Sequence, residues 1–377
     1  MRVLIVTPWW PTREHPNFAP FMVSDAMLVQ ELNQVVVVHL VDPSRAEEQS
    51  HVPPGFRVVR VPFHFSKPRT WLPAACILRR LSARADIVHT MALTSMIPVT
   101  IAKCAKPWVH TEHYSTLVDP EISRRQKVSL WIQRQMYRVP DRLVAVGRSL
   151  ADVMSQTSGG EVIVVGNHVM IEAKCVRTHG DEIGPGKSVR AISVGGLIDR
   201  KGPIEAVDAI LKLRERGVDA SLRWVGEGSL SEKVGEHARD LGVGDYVELV
   251  GPLSRAELQE ELRAANLFLL PTQAETFGVA IAEALGYGLP VVVSGVGGHL
   301  EFLPEKGCRT VEKRDGITLA NAIEDLIADP SRLNSQEIWS YARARFSDEK
   351  RRETYLNVYS DALAAHRTAT KGGDTVA

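Results

Sequence analysis

This 377-residue sequence lacks any apolar run near the roughly 18 residues that a membrane-crossing helix needs. Its four cysteines, Cys76, Cys104, Cys175 and Cys308, are scattered with no C-x-x-C pair. They read as reduced, structural thiols of a cytoplasmic protein. Net charge is also missing: 45 basic side chains balance 45 acidic ones. Without an excess of positive charge or a long basic tract, nucleic acid is not the expected ligand. Met1 and Arg2 lead straight into VLIVT, too short for a signal-peptide core and without a small-residue cleavage site. The loop after that run, PWWPTREHPNFAPF, contains no G-x-G-x-x-G turn, which sets aside a nicotinamide dehydrogenase. No D-x-D occurs anywhere, so the usual carboxylate pair of a metal–diphosphate site is absent and no metal is expected.

The rest of the composition is that of a soluble globular enzyme, with 44% hydrophobic and 24% charged residues. The length exceeds what one core usually supports, so two domains are expected. Apolar runs at 3–7, 35–41, 57–61, 87–90, 108–111 and 143–146 alternate with helical or loop sequence, including a helix at 21–33. A second series follows the turn-rich stretch 159–166, with strands at 189–195, 221–226, 246–251, 267–271 and 290–295, and helices such as 203–216 and 255–264. This βα alternation predicts two doubly wound parallel sheets. The tail beyond 365, RTATKGGDTVA, reads as disordered. Residues 1–165 carry six more basic than acidic side chains and the remainder six fewer, which fits a first half facing an anionic partner or surface.

One stretch organises the chain: PTQAETFGVAIAEALGYGLPVVVSGVGGHLE, 271–301, read as loop, helix, strand and glycine-rich loop. Glu275 is placed at the helix start. Glu283 is flanked by Ala280, Ile281, Ala284 and Leu285, so this helix is expected to be largely buried. A carboxylate there needs a partner or a hydrogen-bonding ligand. On one helix the two glutamates would lie about 12 Å apart, a span that suits a sugar nucleotide. Alternatively Thr272 and Glu275 form a capping box and Glu283 pairs with an arginine.

SVGGLIDRKG places Gly195 and Gly196 at a strand end, then Arg200 and Lys201 before a helix that opens with Pro203. That arrangement suits a diphosphate, or is an ordinary glycine turn with solvated cations. In WVHTEHYSTL, His110, Glu112 and His113 fall at the C-terminal end of a strand, the edge where open α/β sheets bind ligands. Either histidine could donate to a ligand hydroxyl or act in acid–base chemistry, or simply be bonded inside the wall. Trp9 and Trp10, in a βα loop long enough to suggest function, could stack on a ligand, though packing is favoured. ISRRQKVSLWIQRQMYR, 122–138, is a basic amphipathic helix that would rest on an anionic membrane surface, guide a phosphorylated acceptor, or be solvated.

Taken together these residues resemble the family 4 glycosyltransferases, retaining enzymes of the GT-B fold. The resemblance covers nearly the whole chain. Its most specific part is E-x-F-G-x-x-x-x-E, here Glu275 to Glu283, followed by A-x-x-x-G-x-P-V-V and G-G-x-x-E. Lys201 with Gly202 and Thr111, Glu112, His113 match two further motifs, and FSDEKRRETYLNVYSDAL resembles the closing helices.

The resemblance implies two Rossmann-like doubly wound domains facing across a cleft. Residues 1–165 would bind the acceptor, 166–345 the nucleotide sugar, and 346–365 would form a helix crossing back to the first domain, before a disordered 366–377. It implies that Glu283 binds the donor ribose and that Glu275 holds the donor sugar beside the Phe277, Gly278 and Val279 backbone. Lys201, with Arg200 and the Gly195–Gly196 loop, would meet the diphosphate and the charge of the leaving group. His113 would contact the transferred sugar, with Asn17 and Phe18 on the acceptor side. His113, Lys201 and Glu275 are thus the catalytic expectation, by front-face attack with the leaving phosphate as base.

Three positions depart from the family pattern. Gly196 stands where arginine is common, Asn17-Phe18-Ala19-Pro20 replaces a glycine-rich loop, and Gly147 replaces a serine. The expected activity is metal-independent transfer of a sugar from a nucleoside-diphosphate sugar to a sugar, lipid-linked or small-molecule acceptor. The setting would be cell-envelope glycan, glycolipid or natural-product synthesis, in the cytoplasm or at the inner face of the membrane. A GT-B-fold sugar-nucleotide epimerase and a non-catalytic sugar-nucleotide-binding subunit are the alternatives.

Overall fold

A computed structural model describes all residues except 16–17, 46, 118–123, 176–181 and 374–377. The chain forms two compact units: residues 1–168 with 348–377, and residues 169–347. In the first unit β1 (Arg2–Thr7), α1 (Pro20–Gln30), β2 (Gln34–Val41) and β3 (Arg57–Pro62) are followed by α2 (Trp71–Ser82), β4 (Ile87–Met91), α3 (Met96–Ala102) and β5 (Trp108–Glu112). Then come α4 (Arg124–Arg134), β6 (Arg142–Ala145), α5 (Arg148–Ser158) and β7 (Val162–Val164). The strands pair in parallel in the order β3-β2-β1-β4-β5-β6-β7. Helices cover both faces of such a sheet, which is why β1 and β4 are buried almost throughout rather than alternating.

The second unit repeats the plan. Its elements are β8 (Val189–Val194), α6 (Pro203–Glu215), β9 (Ala220–Val225), α7 (Ser231–Asp240), β10 (Val247–Gly251) and α8 (Arg255–Ala264). They continue as β11 (Leu267–Leu270), α9 (Val279–Gly286), β12 (Val291–Ser294), β13 (Cys308–Val311), α10 (Gly316–Ala328) and α11 (Ser335–Arg345). The strand order is β10-β9-β8-β11-β12-β13. Each sheet grows first to one side and then to the other, reversing between β1 and β4 and between β8 and β11. Chain connections diverge there and leave a crevice at the carboxyl ends of the strands.

The last helix, α12 (Asp348–Gly373), belongs to the first unit. Tyr355, Val358, Tyr359 and Ala362 join Val3, Ile5, Ile87 and Val109 in its core. Arg351 is nearly buried, ion-paired with Asp25 of α1 and bonded to the Gly166 carbonyl at 2.9 Å.

Several sequence expectations change. Helix α12 does not end at 365 but runs to Gly373. The units part at 168/169 and 347/348, a few residues beyond 165/166 and 345/346. Strands β7 and β13 went unread because both are short edge strands, one half-exposed and one interrupted by Arg309 and Thr310. Glu275 does not start a helix. Gly278, with φ 87°, caps α9 in the left-handed conformation, so the helix begins at Val279 and the two glutamates do not share it. The 12 Å helical span between them therefore falls away.

Candidate functional site

The crevice of the second unit gathers the predicted donor residues from two loops, one after β8 and one after β11. Gly202, at φ 71°, turns the chain into α6, and a Cβ on it would lie 2.4 Å from the Pro271 carbonyl oxygen. Only glycine lets the two loops come this close. The Gln273 amide then donates to the Arg200 carbonyl at 2.8 Å, and the Thr272 hydroxyl reaches the same oxygen at 3.3 Å. This contact delivers Lys201 to Glu275, with the ammonium donating to Glu275 Oε1. Arg200 donates to the Ala274 carbonyl and holds its guanidinium 4.0 Å from the same carboxylate oxygen. Although Gly196 lacks the family's arginine, the two adjacent cations converge on one acid.

Glu275 is buried. Burial alone would raise its pKa, but the charge and hydrogen bond of Lys201, then Arg200 and His299, outweigh it and hold the carboxyl below its ordinary value. The Thr272 hydroxyl bonds Glu275 Oε1 at 3.3 Å, so the T-x-x-E pair is a loop contact and not a helix cap. The Gly297–Gly298 turn closes the other side. A Cβ on Gly298 would lie 1.9 Å from the Thr276 carbonyl, and the Gly298 amide donates to the Glu275 carbonyl at 2.8 Å. Beneath it His299 is fully buried and gives Nε2 to the Ser294 carbonyl at 2.8 Å.

Other predicted donor residues fall into different roles. The Phe277 ring packs against Phe302 and Phe346, with centroids 5.0 and 6.1 Å away, leaving its backbone beside Gly278 and Val279. Lys201's aliphatic stem lies along Gly195. Gly195 also accepts a hydrogen bond at 2.8 Å from Trp224. Glu283 lies one turn along α9, paired with Arg255 at the start of α8 at 3.3 Å.

In the first unit, His113 is buried and stacks on Phe21 at 5.2 Å, with Nδ1 3.1 Å from Asn167 Oδ1 and Nε2 4.0 Å from Asp25. Burial lowers its pKa, opposed by Asp25 and Glu112. Glu112 is enclosed by the His113 and Tyr114 amides at 2.9 and 3.0 Å, the Tyr137 hydroxyl at 2.8 Å and His110 at 3.3 Å. His110 bonds Thr90 with its other nitrogen at 2.9 Å. Glu112 and His110 therefore brace the strand end and do not converge as ligands. Among the described residues no group of three or more His, Cys, Asp or Glu is placed to hold a metal ion.

Phe18 is exposed and lines a cavity of about 320 Å³ over the carboxyl ends of β1, β2, β3 and β4. Trp9, Tyr114, Asp42, Arg45 and Phe65 also line it. Asn17 lies outside the described residues. Trp10 is core, its indole N–H on the His51 carbonyl at 2.8 Å.

The sequence reading missed Asp25, Asn167 and the polar wall of this cavity. Asp25 carried the same signal as Glu283, a lone acid in an apolar helix. Asn167 and Asp42 carried none.

Residues 179–345 match the family model described as glycosyl transferases group 1, and residues 26–168 the model described as glycosyl transferase 4-like domain. A D-inositol 3-phosphate glycosyltransferase of Catenulispora acidiphila is 33% identical over 190 residues, 47% of this chain and 44% of that protein. A glycogen synthase of Mycobacterium tuberculosis is 28% identical over 264 residues, covering 66% and 62%. The chain thus spans about half the length of the curated relatives it matches. Among solved structures, HepE of Anabaena in complex with UDP and glucose superposes with a TM-score of 0.74 at 17% identity, over 96% of this chain and 99% of that one.

Proposed function

The chain belongs to the family 4 glycosyltransferases and has their GT-B fold of two Rossmann-like units, and on that premise we propose that it moves a sugar from a nucleoside-diphosphate sugar to an acceptor hydroxyl with retention. The observation that carries this reading is the meeting of Lys201, Arg200 and buried Glu275 at the switch point of the second sheet. A diphosphate entering there finds two cations already held in place. Charge that grows on the departing phosphate is met by a fixed ammonium, with no reorganisation at the moment of bond breaking. Glu275 and the backbone of 277–279 lie beside those cations, where the transferred sugar would sit. Glu283, nearer Arg255, would accept from the ribose hydroxyls. Because positive charge at the diphosphate comes from side chains, no metal is required.

The proposed acceptor is a sugar, lipid-linked or small-molecule hydroxyl compound, and helix α4 offers a means of peripheral contact with an anionic membrane. Val128, Trp131 and Ile132 are all exposed on α4, at the i, i+3, i+4 spacing of one face. No described helix is long and apolar enough to cross a membrane.

The test is a metal-free thermal-shift panel of UDP, GDP, ADP and dTDP with their sugar conjugates. One nucleotide should raise the melting temperature, and Glu283→Ala should abolish the rise. Silence across the whole panel would remove the donor-site assignment.

A further inference from the structure

The cavity over the carboxyl ends of β1 to β4 takes no part in donor chemistry as proposed above, and its walls are specific enough to say what they accept. We propose that this cavity selects an uncharged, ring-shaped polyol, a sugar residue, as acceptor and excludes phosphorylated polyols; the proposal rests on the glycosyltransferase reading.

The first ground is shape. At about 320 Å³ the cavity has the size of a small-molecule site. Trp9 and Tyr114 form one wall, with ring centroids 5.8 Å apart. His64 and Phe65, stacked at 5.0 Å, form another. Phe65 is 45% exposed, an aromatic face left open beside polar groups. Flat apolar faces of this kind cover the C–H surface of a sugar ring, while a polar rim takes its hydroxyls.

The second ground is charge. Arg45 is the one lysine or arginine among the described lining residues, and its Nε is already given to Glu48 at 2.5 Å. Asp42 adds a second carboxylate, bonded by Lys67 at 2.9 Å and approached by His64 at 3.3 Å. His39, bonded to Ser50 at 2.6 Å, is pushed down to about 4 by burial and stays neutral at pH 7. A phosphate entering would meet the carboxylates of Glu48 and Asp42, while the one lining guanidinium already commits its Nε to Glu48. Hydroxyl groups, by contrast, donate well to both acids.

The third ground is strain. Ala92, just past β4 on the cavity wall, holds φ 69°, a conformation rarely adopted by a residue with a side chain. Its amide is fixed to the Thr111 carbonyl at 3.0 Å. Such outliers gather at ligand sites.

The test uses the full chain and the nucleotide sugar identified by thermal shift. Transfer is followed as nucleotide release with acceptor pairs differing only by phosphate: myo-inositol against inositol 3-phosphate, and methyl glucoside against its 6-phosphate. The neutral member of at least one pair should be used with kcat/KM tenfold or more above its phosphate. Trp9→Ala should raise the acceptor KM about tenfold while the nucleotide-induced thermal shift stays unchanged. Phe65→Ala, at an exposed position, provides the same readout should Trp9→Ala fold poorly. Preference for a phosphorylated member overturns the proposal, as does transfer to no neutral probe, or an acceptor KM indifferent to both variants. Loss of the nucleotide shift in the unaltered protein is a different failure, that of the transferase reading itself.

Discussion

Lys201 and Glu275 illustrate what one buried pair does for both stability and chemistry. Removing the ammonium leaves a carboxylate in a buried loop with Arg200 4.0 Å away and the Thr272 hydroxyl. Lys201→Ala should therefore lower stability by about 1–3 kcal/mol, the cost of an under-satisfied buried polar group. Turnover should fall at least a hundredfold, with a smaller loss of nucleotide affinity, because the ammonium matters most when charge reaches the leaving group. The double variant Lys201→Ala/Glu275→Gln separates the two effects: chemical denaturation should recover toward the parent value while turnover stays lost. Near-normal kcat in Lys201→Ala would remove the leaving-group role.

His39 sets a pH window for the first unit. Burial lowers its folded pKa from 6.5 to about 4, so between these values the unfolded chain binds a proton that the folded chain does not. Stability from this group is complete above pH 6.5 and is lost as the pH falls toward 4, by about 3 kcal/mol in all. Thermal midpoints at pH 7.5 and 5.0 should differ less in His39→Asn than in the parent. An equal acid loss in both would place the window elsewhere.

At the scale of elements, what the sequence made legible depended on burial. Strands covered on both faces, such as β1, β11 and β12, are short apolar runs and could be read directly. The edge strands β7 and β13 lack that signal. The start of α9 was misread because T-x-x-E imitates a cap, while the deciding feature is a single glycine at positive φ. Lys201, Glu275 and the glycine loops could be named from motif spacing. The Arg351–Asp25 pair joins residues 326 positions apart and could not be read from spacing at all.

Helix α4 carries its own prediction. Three large apolar side chains, exposed by 59 to 64%, sit on one face, and positions 124, 125 and 127 are basic. Apolar area and positive charge together favour an anionic bilayer surface. Co-sedimentation with phosphatidylglycerol-containing vesicles should fall several-fold in Trp131→Ser/Ile132→Ser and weaken with salt. Equal binding to purely zwitterionic vesicles, or none to either, would leave the face without a membrane role.

For the whole molecule, the path of α12 decides which unit depends on which part of the chain. The second unit is continuous, 169–347, and holds Gly195, Arg200, Lys201, Glu275 and Glu283. The first unit is discontinuous, since its core is completed by Tyr355, Val358, Tyr359 and Ala362. Within that core His89 bonds the Tyr359 hydroxyl at 2.8 Å and Thr111 at 2.7 Å. A chain ending at Ser347 would expose the underside of β1 and β5, strip His89 of a partner and leave Asp25 buried without Arg351. Burial of several large side chains and one ion pair is at stake, comparable to the about 5–15 kcal/mol by which domains are stable. Calorimetry of residues 1–347 should show one cooperative transition, and the nucleotide that stabilises the full chain should raise it. Residues 169–347 alone should show the same transition and the same rise. Two transitions in residues 1–347 would mean that β1–β7 hold together without α12, whose tyrosines would then fill a surface instead of closing a core.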